Sequence, residues 1–118
     1  MASRSHIRGL NRWESWVEDI PQEVELEVKS LVAETAYRVE ADAKRLVPID
    51  TGHLRRSIET AFSDRGLVAS VGTNVYYAVY VEFGTSKHHA QPFLIPAFVK
   101  HKERFERKLR EIMDGVGE

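Results

Sequence analysis

The sequence predicts an α+β domain in which a long N-terminal helix and a C-terminal helix pack on a small antiparallel β-sheet. Three patterns support this fold class. A helical apolar periodicity spans residues 22–47, and two segments of alternating polarity, 58–62 and 67–71, follow it. A second helical periodicity starts at Pro96 and stops at Gly115. The chain has 118 residues, which is the length of one domain.

Residues 1–20 are predicted to form an arm or a short helix ahead of a single domain at residues 21–118. Apolar side chains recur in this arm at helix-like spacings, and Pro21 interrupts them. They are Leu10, Trp13, Trp16, Val17 and Ile20. Because burial of a tryptophan ring is worth a few kcal/mol, the arm is expected to dock on its own core or on a neighbour.

The long helix is predicted between Pro21, which suits a helix start, and Pro48, whose predecessor avoids the α region. Its apolar side chains recur at steps of three, four or seven. They are Val24, Val28, Leu31, Thr35, Val39 and Leu46, with Val32, Ala36 and Ala43 widening the stripe. About 25 residues at a rise of about 1.5 Å give a helix nearly 40 Å long.

The two alternating segments are predicted to pair as a β-hairpin around the turn signal Asp64-Arg65-Gly66. An isolated hairpin is marginal in water, so its apolar face must pack on the long helix. A turn at 50–52 and one helical turn at 53–57 are expected to connect the helix to the hairpin.

Residues 75–83 fit two kinds of element. Their β-branched and aromatic content slightly favours a strand. Four of them also lie on one face of a helix: Tyr76, Val79, Tyr80 and Phe83. Gly84 then ends the element, and a polar loop follows at 86–91.

The final helix is predicted to open at Pro96, because the fixed φ and missing N–H of proline cost nothing at a first helical position. Gly115 is expected to end it. Its predicted apolar stripe consists of Phe98, Phe105, Leu109 and Ile112.

The composition excludes several classes of protein. Without cysteine, disulfides, zinc–thiolate sites and thiol chemistry are impossible. No apolar run approaches the roughly 20 residues of a membrane helix, and the first residues lack the apolar stretch of a signal peptide. A soluble protein that is made and kept inside a cell is therefore expected.

The net charge is only −1, but the charges are unevenly distributed. Residues 14–28 carry acidic charges alone, whereas residues 100–110 are mainly basic. Either these segments are two solvated helix faces, or the acidic end of one subunit meets the basic end of another. The candidate subunit interface comprises Trp13, Trp16, Glu18, Glu25, His88, His89, Lys102, Arg104, Arg107 and Lys108.

No pattern predicts catalysis, a cofactor or a metal site. His88 and His89 would point in opposite directions in an extended loop, which suits a shared metal poorly. Asp50 is interpreted as a turn or cap acceptor, and Glu82 as a helix cap or as the partner of an arginine. A metal-dependent hydrolase that uses both histidines and Glu82 is kept as a further hypothesis. Basic residues of the final helix alternate with glutamates, which is typical of a solvated helix rather than of a specific nucleic-acid site.

Three segments in sequence carry a family resemblance. They are Ala43 to Ile58, with Val47-Pro48-Ile49-Asp50-Thr51-Gly52-His53-Leu54-Arg55-Arg56-Ser57; Tyr76-Tyr77-Ala78-Val79-Tyr80-Val81-Glu82-Phe83-Gly84-Thr85; and Gln91-Pro92-Phe93-Leu94-Ile95-Pro96-Ala97. This pattern resembles the neck and tail-completion proteins of long-tailed bacteriophages and prophages, also called tail-component or head–tail joining proteins. The resemblance covers about residues 24–112. It implies a helix at 75–83, against the composition.

The resemblance implies that the motif fixes the fold. The motif residues are Pro48, Asp50, Thr51, Gly52, Leu54, Ser57, Tyr77, Ala78, Glu82, Phe83, Gly84, Thr85, Pro92, Phe93 and Pro96. Contacts with partners are expected elsewhere, in the arm, in the loop at 88–89 and on the charged helices.

The function that the resemblance implies is that of a non-enzymatic virion protein, made in the host cytoplasm. Such proteins assemble as rings, commonly six-fold, at the head–tail junction, where DNA passes through without specific binding. Expected neighbours are head-closure, tail-terminator or tail-tube proteins. The alternative is a prophage- or host-encoded protein-binding module that forms no ring.

Overall fold

The computed structural model describes residues 20–48 and 52–115. In this part of the chain the elements are α1 (Glu25–Leu46), α2 (Gly52–Ser57), β1 (Glu59–Ser63), β2 (Val68–Gly72), α3 (Ala78–Phe83) and α4 (Leu94–Asp114). A 3-10 turn at Gln22–Val24 precedes α1, and another at Asp64–Gly66 joins the strands. The predicted α+β class is confirmed, because a long helix, a C-terminal helix and a small antiparallel sheet are all present.

Helix α1 follows the predicted apolar stripe and ends where Pro48 requires. Val28, Val39 and Ala43 are buried, and the buried stripe continues four residues later at Val47. Leu46, which was predicted to lie on this stripe, is therefore left outside it and is 41% exposed. Val47 has extended backbone angles, φ −68° and ψ 142°, as expected for a residue before proline.

The hairpin prediction is confirmed, with β1 and β2 antiparallel in a register that pairs Glu59 with Gly72 and Ser63 with Val68. Three consecutive residues of positive φ, from Asp64 to Gly66, reverse the chain between the strands. The hairpin packs against α1, where the Thr60 hydroxyl donates a 2.7 Å hydrogen bond to the Glu40 carboxylate.

Residues 75–83 contain a helix, so the strand that composition favoured is wrong and the element implied by the resemblance is correct. Helix α3 buries Ala78 and Glu82, four residues apart, and leaves the opposite side exposed. One turn of helix produces this spacing, whereas a strand would place residues 78, 80 and 82 on the same side.

Helix α4 begins at Leu94, two residues before the predicted start, so Pro96 lies inside its first turn. Proline is tolerated there because the first N–H groups of a helix have no partner within it. Of the predicted stripe, Leu109 is buried, and Phe105 and Ile112 are half-buried. Phe98 is 56% exposed, and the fully buried Ala97 takes its place on the packed face.

Two apolar clusters form the core. The first lies around Phe93, Leu54 and Ile58, at the end of α1 that leads into the hairpin. The second lies at the other end of α1, where it packs Val28 and Leu67 with Leu109 of α4. Among residues 20–48 and 52–115, no helix combines the length and the apolar character that crossing a membrane requires.

Candidate interaction surface

Glu82 is a buried carboxylate that caps the N-terminus of α4. Its Oε1 atom accepts hydrogen bonds from the backbone N–H groups of Phe93 (3.2 Å) and Leu94 (2.9 Å), and its Oε2 atom accepts one from Ile95 (3.0 Å). The residue before the helix, Phe93, supplies no side-chain cap of its own. A negative charge at this end of a helix also interacts favourably with the helix dipole. Of the two interpretations of Glu82, the structure therefore supports the helix cap.

Gly84 permits the reversal that brings α4 back to Glu82. Its φ of +79° and ψ of 177° lie in a region that is essentially restricted to glycine. A Cβ atom at this position would lie 2.7 Å from the backbone nitrogen of Ala90 and 3.0 Å from the carbonyl oxygen of His88. The backbone N–H of Gln91 then donates a 2.8 Å hydrogen bond to the carbonyl of Val81.

Thr85 closes the exposed loop that contains the histidine pair. Its hydroxyl accepts hydrogen bonds from the backbone N–H groups of Lys87 (3.1 Å) and His88 (3.0 Å). Its own N–H donates a 2.9 Å hydrogen bond to the carbonyl of His88. His88 and His89 lie exposed at the tip. Among residues 20–48 and 52–115, no three His, Asp or Glu side chains converge as a metal ligand set.

The structure gives Glu82 a different role from the one in the hydrolase hypothesis. Both of its carboxylate oxygens accept hydrogen bonds from the backbone N–H groups of Phe93, Leu94 and Ile95. A carboxylate fixed by three backbone donors stabilises a helix end and leaves little capacity to bind a metal.

The first motif segment is structural in the part that the structure describes. Leu54 is fully buried, and the Ser57 hydroxyl donates a 2.7 Å hydrogen bond to its carbonyl. Ser57 also shares a hydrogen bond with the Thr73 hydroxyl, which ties α2 to the end of the hairpin. Gly52 opens α2, while Asp50 and Thr51 lie outside the described residues.

The remaining motif residues divide between core and surface. Ala78 and Phe93 are buried, and Tyr77 packs against the first apolar cluster. Pro48 and Pro96 are half-buried, whereas Pro92 is exposed.

Helix α3 presents an exposed apolar face within the motif itself. Three side chains of this face lie on the helix, Val79 at 59% exposure, Tyr80 at 56% and Phe83 at 66%, and Tyr76, at 82%, lies in the turn just before it. Their positions follow the i, i+3, i+4, i+7 spacing of one helix face. Clustered exposed apolar side chains mark contact sites on soluble proteins. The expectation that partners contact residues outside the motif stays a prediction, and this face is a further candidate for such contacts.

The sequence held a signal for this face that was missed. Glu82 follows Ala78 by four residues, so both lie on the same side of a helix. A helix that buries this side must expose residues 79, 80 and 83. The burial of a carboxylate was not foreseen, because its donors follow eleven to thirteen residues later in the chain.

Several charges predicted to contact another subunit are paired within the chain. Arg104 contacts Glu34 of α1 at 3.3 Å, and Lys102 contacts Glu106 at 3.1 Å. Glu25 lies 3.4 Å from both Lys29 and Arg65.

Other candidate interface residues have different surroundings. Arg107 is exposed and Lys108 is half-buried on α4. Trp13, Trp16 and Glu18 lie outside the described residues. The charged subunit interface thus stays a prediction.

Asp42 joins α1 to α4 through a small ionic cluster. Its carboxylate bonds Arg45, contacts the His101 Nε2 atom at 2.6 Å and lies 3.4 Å from the Lys100 Nζ atom. The hydrogen bond from Arg45, followed by that from His101, holds the pKa of Asp42 well below its usual range. This cluster fastens the first half of α4 along α1.

The fold is thus a small α+β domain with an exposed apolar helix face beside a buried cap, and such faces are found at contact sites of proteins. The chain matches the family described as "Bacteriophage HK97-gp10, putative tail-component" over residues 14–84. This match spans more than half of the sequence, and the chain belongs to that family. No curated protein and no solved structure matches it. Membership implies a location in the virion and contacts with other virion proteins.

Proposed function

We propose that the chain is a non-catalytic structural subunit that assembles as a six-fold ring at the head–tail junction, where it completes the tail and joins it to the head. The observation that carries this proposal is the exposed apolar face of α3 on a member of a phage tail-component family. A ring closes when one surface of each copy meets a different surface of the next.

The size of the α3 face indicates how strongly it contributes. Burial of four large apolar side chains yields about 6–12 kcal/mol, at about 1.5–3 kcal/mol each. Association itself costs about 4–15 kcal/mol. The face alone is therefore marginal, and we expect stable assembly only where further contacts, or many neighbouring copies on a growing tail, add to it.

The charged surface is the second proposed contribution. Arg107 is exposed in the basic segment at residues 100–110, and Glu23 and Glu27 are exposed in the acidic segment at residues 14–28. Opposed charges of this kind set register and association rate, and salt screens them. Ring assembly is accordingly expected to weaken as ionic strength rises. DNA passing through the ring would need no specific site on α4, where basic residues alternate with glutamates.

The test is assembly of Val79→Asp compared with Val99→Asp. Both residues are valines that are 59% exposed, but Val99 lies on α4 and is not part of the α3 face. Virions are produced with each variant in place of the wild-type chain, and joined and unjoined tails are counted by electron microscopy. We expect unjoined tails with Val79→Asp and normal particles with Val99→Asp.

Two outcomes would contradict the proposal. If Val79→Asp is incorporated and joins tails as the wild-type chain does, the α3 face is not a subunit contact. If the wild-type chain is absent from purified virions and remains a monomer or dimer with a host partner, the protein is a binding module instead.

A further inference from the structure

An apolar groove of about 900 Å³ runs between α1, β2 and α4. Its walls include Ala36 and Val39 of α1, Ala69 and Val71 of β2, and Phe98 and Phe105 of α4. Phe98 is 56% exposed there, although it belongs to the predicted apolar stripe of its helix. Ala36 and Val39 are buried, so the open apolar surface of this groove comes from Phe98 and from the half-buried Ala69, Val71 and Phe105.

The N-terminal end of the described chain packs on an apolar cluster that this groove shares. Ile20 packs against the second apolar cluster, and three members of that cluster, Val32, Leu67 and Leu109, line the groove. The residues just before Ile20 are therefore joined to the described chain at a cluster that forms part of the groove.

The sequence before Ile20 has the pattern and the length to fill the groove. Leu10, Trp13 and Val17 continue the apolar stripe of Ile20 at steps of three and four. Eleven residues extend about 16 Å as a helix and about 36 Å as a fully extended chain, so the segment can span the distance of about 22 Å between Leu94 and Leu109, the ends of the groove on α4. Each tryptophan offers about 150–250 Å² of surface for burial.

We propose that residues 10–19 dock in this groove of their own chain, with Trp13 and Trp16 packed against Phe98 and Ala69. In this arrangement the segment is part of the folded domain and covers the groove between α1, β2 and α4. This proposal does not depend on ring assembly, since it concerns the fold of a single subunit.

The first test uses tryptophan fluorescence, because Trp13 and Trp16 are the two tryptophans of the chain and report on this segment alone. The variants are Phe98→Asp and Val99→Asp. These neighbouring residues are similarly exposed, at 56% and 59%, but only Phe98 lines the groove. We expect blue-shifted emission and weak acrylamide quenching in the wild-type chain and in Val99→Asp.

In Phe98→Asp we expect a red shift and a several-fold larger quenching constant, with the far-UV circular dichroism of a folded domain retained. Wild-type emission typical of tryptophan in water would overturn the proposal. So would identical emission and quenching in the two variants.

The second test decides whether the groove is filled by the same chain or by another copy. The chain has no cysteine, so paired cysteines can be introduced without background. Trp13→Cys or Trp16→Cys is combined with Ala69→Cys or Phe98→Cys, and the proteins are oxidised at low concentration. A disulfide needs Cα atoms within about 7 Å.

We expect at least one pair to give a cross-linked monomer on a non-reducing gel, and the matched pair with Val99→Cys to give none. Cross-links only between chains would show that a second copy supplies the segment, and would overturn the proposal. Absence of any cross-link from all four pairs would overturn it as well.

Discussion

Replacement of Glu82 by alanine removes the acceptor for three backbone N–H groups at the start of α4. Loss of an ordinary helix cap costs about 0.5–2 kcal/mol, and a hydrogen bond to a charged group is worth about 1.5–3 kcal/mol. The N–H of Phe93 is buried, whereas those of Leu94 and Ile95 are partly accessible to water. We therefore expect Glu82→Ala to lower the free energy of unfolding by about 3 kcal/mol. For a domain of this length, this corresponds to a fall in Tm of roughly 10 °C.

Glu82→Gln should lie between the wild-type chain and Glu82→Ala. Its amide oxygen can still accept from Phe93 and Leu94, but its NH₂ group would face the N–H of Ile95, and the favourable charge at the helix N-terminus is lost. Urea unfolding followed by circular dichroism measures the three proteins. Glu103→Ala, an exposed change on the same helix, is the control and should stay within about 0.5 kcal/mol of wild type. A Glu82→Ala variant as stable as this control would refute the cap as the cause of stability.

Three further predictions concern Gly84, Asp42 and the basic residues of α4. Gly84→Ala should lower the unfolding free energy by about 3 kcal/mol, because the φ of Gly84 is positive and the new Cβ would meet the Ala90 backbone. Gly72→Ala, with open space around its Cβ, is the control and should change the unfolding free energy far less in the same urea unfolding experiment. The pKa of Asp42 is depressed in the folded state, so its ionised carboxylate stabilises the fold above about pH 4, and this stabilisation is lost as pH falls further. The difference in unfolding free energy between wild type and Asp42→Asn should therefore shrink between about pH 5 and pH 2 in acid titrations of unfolding. Reversal of the basic face of α4 should weaken ring assembly measured by light scattering, and unchanged assembly would refute the acidic-to-basic contact. The residues reversed to glutamate are Lys102, Arg104, Arg107 and Lys108.

The helices and the hairpin were predictable because their signals are local. Pro48 dictates the extended angles of Val47, and the turn at 64–66 follows from Asp64 and Gly66, two residue types that favour turns. Each of these features depends on neighbours in the sequence and on backbone sterics alone. The start of α4 was misplaced by two residues because its cap, Glu82, lies far from the helix in sequence.

Helix α3 shows where local reasoning fails. Six residues rich in β-branched and aromatic side chains favour a strand by composition. The helix forms because Ala78 and Glu82 are both needed on one side, one against the core and the other against the backbone of α4. Those requirements are tertiary, so neither the burial of Glu82 nor the groove beside Phe98 could be derived from the sequence pattern.

The buried cap also determines where the folding unit can be cut. The family match stops at residue 84, just after Glu82, but all three donors to its carboxylate lie at 93–95. A chain truncated at the matched boundary would carry an acidic side chain on the core side of α3 with no backbone to receive it. The segment matched by the family therefore depends on residues beyond its end, and we expect α3 to become ordered only when α4 is present.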